Sequence, residues 1–131
     1  MISQSEDFRA AASLARRNYL DSGAANATIE IYDGTRPAAG DPAAGAPLLV
    51  VTLAKPCGLV ASGSLVLEQN DPAGDLIEST GDASWARFFN GDGEWAFDAD
   101  ASLEGGGGEV QFPDIHLLAG GRVPLLPSAI G

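Results

Sequence analysis

Apolar residues recur at every second position in several short stretches of this chain, and at every third or fourth position in only one. That one is near the start. Phe8, Ala11 or Ala12, Ala15 and Tyr19 fall at helical spacing, with Leu14 and Asn18 beside them. Glu6 and Asp7 follow Ser5 as acids suited to a helix N-terminus, Arg16 and Arg17 sit toward the other end, and Gly23 can stop the helix. The spacing predicts a helix over about Glu6–Leu20, whose narrow apolar stripe would lie on a sheet or, alternatively, on a neighbouring subunit.

The rest reads as strands. In Thr28–Asp33, Ile29 and Ile31 share one face, while Thr28, Glu30 and Tyr32 share the other. The uninterrupted apolar run Leu48–Ala54, ended by Lys55-Pro56, predicts a central strand covered on both faces. Ser62–Glu68 alternates through Leu65 and Leu67, Leu76-Ile77 is a short candidate, and Glu109–Pro113 resumes strand character. Arg122–Ile130 is interrupted by Pro124 and Pro127, which limits it to an edge strand or a tail. Between these lie Gly34–Pro47, expected as a surface loop, and Gly105–Gly108, expected as a flexible hinge or disordered crossover.

The stretch Asp82–Asp98, DASWARFFNGDGEWAFD, holds both tryptophans and three of the five phenylalanines. Asn90-Gly91-Asp92-Gly93 supplies the residues a tight reversal needs, so a β-hairpin is expected. On its first limb Trp85, Arg87 and Phe89 oppose Ala86 and Phe88; on its second, Trp95 and Phe97 oppose Glu94, Ala96 and Asp98. The expected core is Trp85, Phe89, Trp95 and Phe97 with Ile29 and Ile31. Arg87, inside an apolar strand, either reaches the sheet edge or pairs with an acid such as Asp98. Short strands at this spacing, without intervening helices, imply a mainly β chain: an antiparallel β-sandwich or jelly-roll-like domain with one N-terminal α-helix. Residues 1–24 are expected as a helical arm. Residues 25–131 would form the sandwich, with a Gly/Pro-rich C-terminal segment.

Composition then narrows the function. Eighteen acids against seven bases give a formal charge of −11, which argues against nucleic acid or an anionic membrane as partner. No apolar run reaches membrane-span length, and no signal-peptide core is visible at the N-terminus. A single cysteine, Cys57, excludes an internal disulfide and reads as a buried small hydrophobe. His116, the one histidine, has no nucleophile motif around it. Asn90, Asp92 and Glu94 alternate like calcium-loop ligands, but Trp95 stands where glycine is required and no glutamate occupies the twelfth position. The glycine run lacks the lysine of a phosphate-binding loop. No catalytic, metal or cofactor-binding residue is assigned, and a non-enzymatic role is expected.

Two segments, ATIEIYDGTRPAAG…PLLVVTLA and GDASWARFFNGDGEWAFD, stand in the order of an (I/L)-x-IYDG-x-xP strand and loop followed by a G-x-A-(S/T)-W-x-R strand and a DG turn. In this the chain resembles a family of small tailed-phage and prophage virion-associated proteins, over about two-thirds of its length and not in its Gly/Pro-rich C-terminal third. The resemblance implies a virion setting, reached by assembly in the host bacterial cytoplasm, and offers no active site. The roles that fit are a capsid decoration or cement protein on the major capsid protein, a tail, baseplate or fibre component, or a glycan-binding module in which Trp95 or Trp85 is exposed. A homo-oligomer is expected, with a trimer favoured by the virion setting. Its contact candidates are Phe8, Leu14 and Tyr19 at one end of the chain and Val123, Leu125 and Leu126 at the other. The charge yields a first test: at physiological salt the protein should leave duplex DNA unshifted in a native gel, and a salt-sensitive shift would overturn the exclusion.

Overall fold

The computed structural model describes residues 3–131. Helix α1 spans Glu6–Leu20. Ser5 caps it, its Oγ accepting the Phe8 N–H at 3.1 Å, and the acids Glu6 and Asp7 occupy the first turn. The strands follow as β1 Thr28–Tyr32, β2 Leu49–Ala61, β3 Ser64–Gln69, β4 Asp75–Leu76, β5 Gly81–Asp82, β6 Trp85–Phe89, β7 Trp95–Leu103, β8 Val110–Phe112, β9 His116–Leu117, β10 Arg122–Val123 and β11 Ala129–Ile130. The chain is mainly β, with one helix and a large, mostly antiparallel sheet that is nearly barrel-shaped.

That sheet has seven strands in the order β11-β3-β2-β1-β6-β7-β8. Strand β1 lies at its middle because Ile29 and Ile31 meet apolar partners on both sides: Ile29 faces Val51 and Phe88, and Ile31 faces Leu49 and Ala86. These residues, with Leu53, Leu65, Val110 and Phe112, point into a core in which all are essentially sealed from water. The run Leu49–Ala54 departs from the expectation of two covered faces. Its burial alternates, because one sheet curved on itself has a single inside. Strand β2 also continues through Lys55-Pro56 to Ala61, past a bulge between Leu53 and Gly58. Gly58 is required there: a Cβ would collide with the Val66 carbonyl of β3.

The sheet's two edges meet. The Gln111 N–H of β8 donates to Ser128 Oγ (3.0 Å), and the Leu126 N–H donates to the Gln111 carbonyl (2.9 Å). Ser128 also accepts the Leu67 N–H on its carbonyl and donates its hydroxyl proton to the Leu126 carbonyl, so one buried serine joins β3, β8 and the approach to β11. Of the edge strand or tail expected over Arg122–Ile130, the edge strand forms: β11 ends the sheet. Val123 is buried and Leu125 and Leu126 are half-buried, because Arg122–Ile130 supplies two strands and the barrel seam.

The glycine run is not a loose hinge. It joins β7 to the parallel strand β8, a connection that ordinarily takes a dozen residues or more. Here the ladder is only three residue pairs long, so the chain drops back by about 7 Å. Gly105 and Gly107, both at positive φ, allow that reversal, and Gly108 N–H closes it on Ser102 Oγ.

Helix α1 crosses one end of the barrel, where the β2–β3 turn, the end of β11 and the β6–β7 turn come together. Arg9 donates to Ser64 Oγ and the Gly131 carbonyl, Ser13 Oγ donates to the Gly63 carbonyl, and Leu20 is fully buried. Of the two places expected for this helical arm, the sheet or a neighbouring subunit, it lies on the sheet within the chain. It is seated by Arg9, Ser13 and Leu20, while Phe8, Ala11, Ala15 and Tyr19 remain exposed.

The seam sets a stability test. Ser128→Ala removes a buried acceptor and should lower stability by about 1–3 kcal/mol, the cost of leaving the Gln111 N–H unsatisfied. Urea unfolding should show this together with faster amide exchange at 110–112. Unchanged exchange there would mean that the seam holds without the serine.

Candidate functional site

The β6–β7 hairpin organises the outer face of the barrel. Its turn is built by Asn90, whose side-chain oxygen accepts the N–H groups of Asp92 (3.0 Å) and Glu94 (2.9 Å), while Gly93 takes a positive φ. The turn seats on the helix end, where a Cβ at Gly91 would strike the Ala25 carbonyl. Beyond it the register slips by one residue: Phe88 pairs with Phe97, but Phe89 pairs with Trp95, leaving Ala96 as a bulge.

The bulge corrects the expected core. Phe97 stays opposite Phe88 and stacks on it at 4.3 Å between centroids. Trp95 is carried to the other face, where its Nε1–H donates to Asp98 Oδ1 (3.1 Å) and its ring remains 41% exposed. Trp85, Ile29 and Ile31 are buried, whereas Phe89 and Phe97 are partly so. Trp85 is covered although it lies on the outer face. Tyr32 stacks on it (4.4 Å, 14° between planes), and its indole N–H donates to the Asp33 carbonyl. Burial, followed by the hydrogen bond to Glu30, pushes the Tyr32 hydroxyl up to about 12.

At the centre lies the pair expected from the sequence. Arg87 donates from Nε to Asp98 Oδ1 (2.8 Å) and from Nη2 to Asp98 Oδ2 (3.1 Å), with both side chains at least nine-tenths buried. A further Nη2 bond to the Asp41 carbonyl (2.7 Å) ties down the loop between β1 and β2. The guanidinium also lies 5.1 Å from the Trp85 ring centroid. Burial alone would raise the Asp98 carboxyl, but hydrogen bonds from Arg87 and Trp95 outweigh it and hold the group below its ordinary value. The Asp98 bond raises Arg87 in turn.

The pinned loop and the displaced tryptophan enclose a cleft of about 520 Å³, lined by Arg36, Pro37, Ala38, Ala39, Trp95, Phe97 and Asp98. A second groove, of about 320 Å³, runs from Phe97 and Ala96 to Ala15, Arg16 and Tyr19 of α1, and the Tyr19 hydroxyl donates to the Trp95 carbonyl (3.3 Å). Comparison with known proteins gives no match: no family model, no curated protein and no solved structure is similar to this chain.

The remaining candidates for chemistry lie apart from the cleft. Cys57 is buried, and burial, followed by Asp21, pushes its thiol up to about 12, which leaves it without nucleophilic character. His116 makes an exposed contact with Asp82 (2.7 Å) that raises its pKa. Among the described residues no group of histidine, cysteine and carboxylates is arranged to hold a metal ion, and no helix is long and apolar enough to cross a membrane. The loop residues Arg36–Ala39 carried no periodic signal. The only trace of them in the sequence is an Arg-Pro step beside the first of the two strands they join.

The Arg87–Asp98 pair gives a pH test. A carboxyl held below its unfolded value, about 3.9, adds stability that is fully present above that value and is lost as pH falls through the folded one. Asp98→Ala should therefore cost about 3–5 kcal/mol at neutral pH, where Arg87 is left buried and uncompensated, and less in acid. A cost that stays the same down to acid pH, by chemical unfolding, would show that the charge of Asp98 is not the cause.

Proposed function

We propose that this is a non-enzymatic structural protein of a tailed-phage virion, a capsid decoration or cement protein that stabilises the head through subunit contacts. The observation that carries the reading is the outward side of α1. The helix is seated on the barrel by Arg9, Ser13 and Leu20, and it presents Phe8 (59% exposed), Leu14 (42%) and Tyr19 (45%) to the surroundings. Large apolar side chains exposed along one helix of an acidic domain are the kind of surface that association covers. Tyr19 also lines the groove at Ala96 and Phe97. The resemblance of the IYDG and ASWAR segments supplies the virion setting, and the net charge of −11 suits a place on the outer shell away from packaged DNA.

In this reading the protein assembles as a trimer through α1 and sits on the major capsid protein. The contacts fall to Phe8, Leu14 and Tyr19 rather than to the C-terminal segment, which the barrel consumes. Phe8→Ser combined with Leu14→Ser should change stability by less than about 0.5 kcal/mol per site, as exposed substitutions do. It should nevertheless reduce both the mass seen by light scattering and the binding to purified particles. A double variant that still assembles and still binds removes the reading's support. Density at the tail rather than on the head of imaged particles would move the protein to a tail or baseplate place.

A further inference from the structure

A half-exposed tryptophan is usually mobile on its surface, but Trp95 is not. Its Nε1–H is held by Asp98, and Asp98 is held in turn by two hydrogen bonds from Arg87. The benzo edge of the ring rests against Gly40, where a Cβ would lie only 3.3 Å from ring carbons. An indole fixed in this way offers a flat apolar platform whose ordering entropy is already lost before anything binds. The cleft beside it, at about 520 Å³, lies within the size range of small-molecule sites. Arg36 stands in the cleft wall, 3.4 Å from Asp100, and both side chains are well exposed. Arg36 thus offers hydrogen-bond donors on the wall of the cleft that the ring also lines.

We infer that this cleft binds a neutral pyranoside, with the C–H face of the sugar stacked on Trp95 and neighbouring hydroxyls bonded to Arg36 in the cleft wall. A pyranose has both surfaces, an apolar C–H face and a rim of adjacent hydroxyls that give and accept hydrogen bonds. The chain's charge of −11 disfavours uronates, sialosides and sulfated glycans. A proline-rich peptide would need a longer groove lined by several available aromatic rings; here Phe97 is already stacked on Phe88, and Trp95 is the ring presented. The inference is independent of the virion role, since it uses neither α1 nor any partner protein.

The test is titration of the intact protein with cellotriose, lactose and chitotriose, which span gluco, galacto and N-acetyl configurations, followed by amide and indole NMR. The expected result is a saturable shift of the Trp95 Nε1 and Gly40 amide resonances by at least one sugar, at about millimolar affinity, with the Trp85 indole unmoved. Followed at Gly40, Trp95→Ala should weaken binding about tenfold or more. Arg36→Gln should weaken it about threefold without changing the melting temperature, which separates a lost contact from a lost fold. If none of the three sugars shifts these resonances, or if decaproline shifts them while the sugars do not, the assignment is overturned.

Discussion

Arg87 and Asp98 face each other across the hairpin with hardly any water around either, and an ion pair in that position is costly unless every donor and acceptor is occupied. Here the occupants come from several parts of the chain. The carboxylate takes two bonds from Arg87 and one from the Trp95 indole, and the guanidinium spends a further donor on the Asp41 carbonyl. Satisfying one buried charge pair thus fixes the hairpin register, the orientation of an exposed tryptophan and the path of the loop from Gly34 to Pro47. The cleft exists because those three are fixed together.

Much of this architecture is visible in the order of residues. The helix from Glu6 to Leu20, the alternation of Ile29 and Ile31, and the Arg87–Asp98 pairing follow from period and chemistry that act within a few residues or across one turn. What the sequence conceals is decided by single insertions and long-range closure. One bulged alanine, Ala96, sends Trp95 to the opposite face from Phe97, and period-two reasoning has no means to see it. Val123 and Ser128 look like part of a proline-broken edge strand or tail, yet they are buried because their partners lie some fifty or sixty residues earlier, in β4 and β3. The stripe on α1 misleads for a related reason. An apolar face ordinarily marks the side turned to the core, but this helix is held by Arg9 and Ser13, whose partners Ser64, Gly63 and Gly131 are supplied by the ends of strands.

The two candidate surfaces use different physics. The outward side of α1 offers area without direction and suits another protein surface. The Trp95 cleft offers a fixed ring and a few polar groups and suits a small polar ligand. They share Phe97 at their boundary, which places the two within a short distance of each other. A subunit held through α1 would present the Trp95 side of its barrel close to the rim of that contact.

The seam at Ser128 has a meaning beyond stability. An open seven-stranded sheet carries two unpaired edges, and each is a template for another chain. In this molecule the edges cover one another through one main-chain bond, between Leu126 and Gln111, and the hydroxyl of a serine, instead of a continuous ladder. The barrel is closed as a collar is closed by a clasp. Releasing the whole Leu126–Ile130 segment exposes β3 and β8 at once, while the central strands stay paired. A strand from a neighbouring copy that carries the same Leu126–Ile130 segment matches the vacated edge residue for residue. The geometry that keeps the monomer shut is therefore also the geometry by which two copies could exchange their ends.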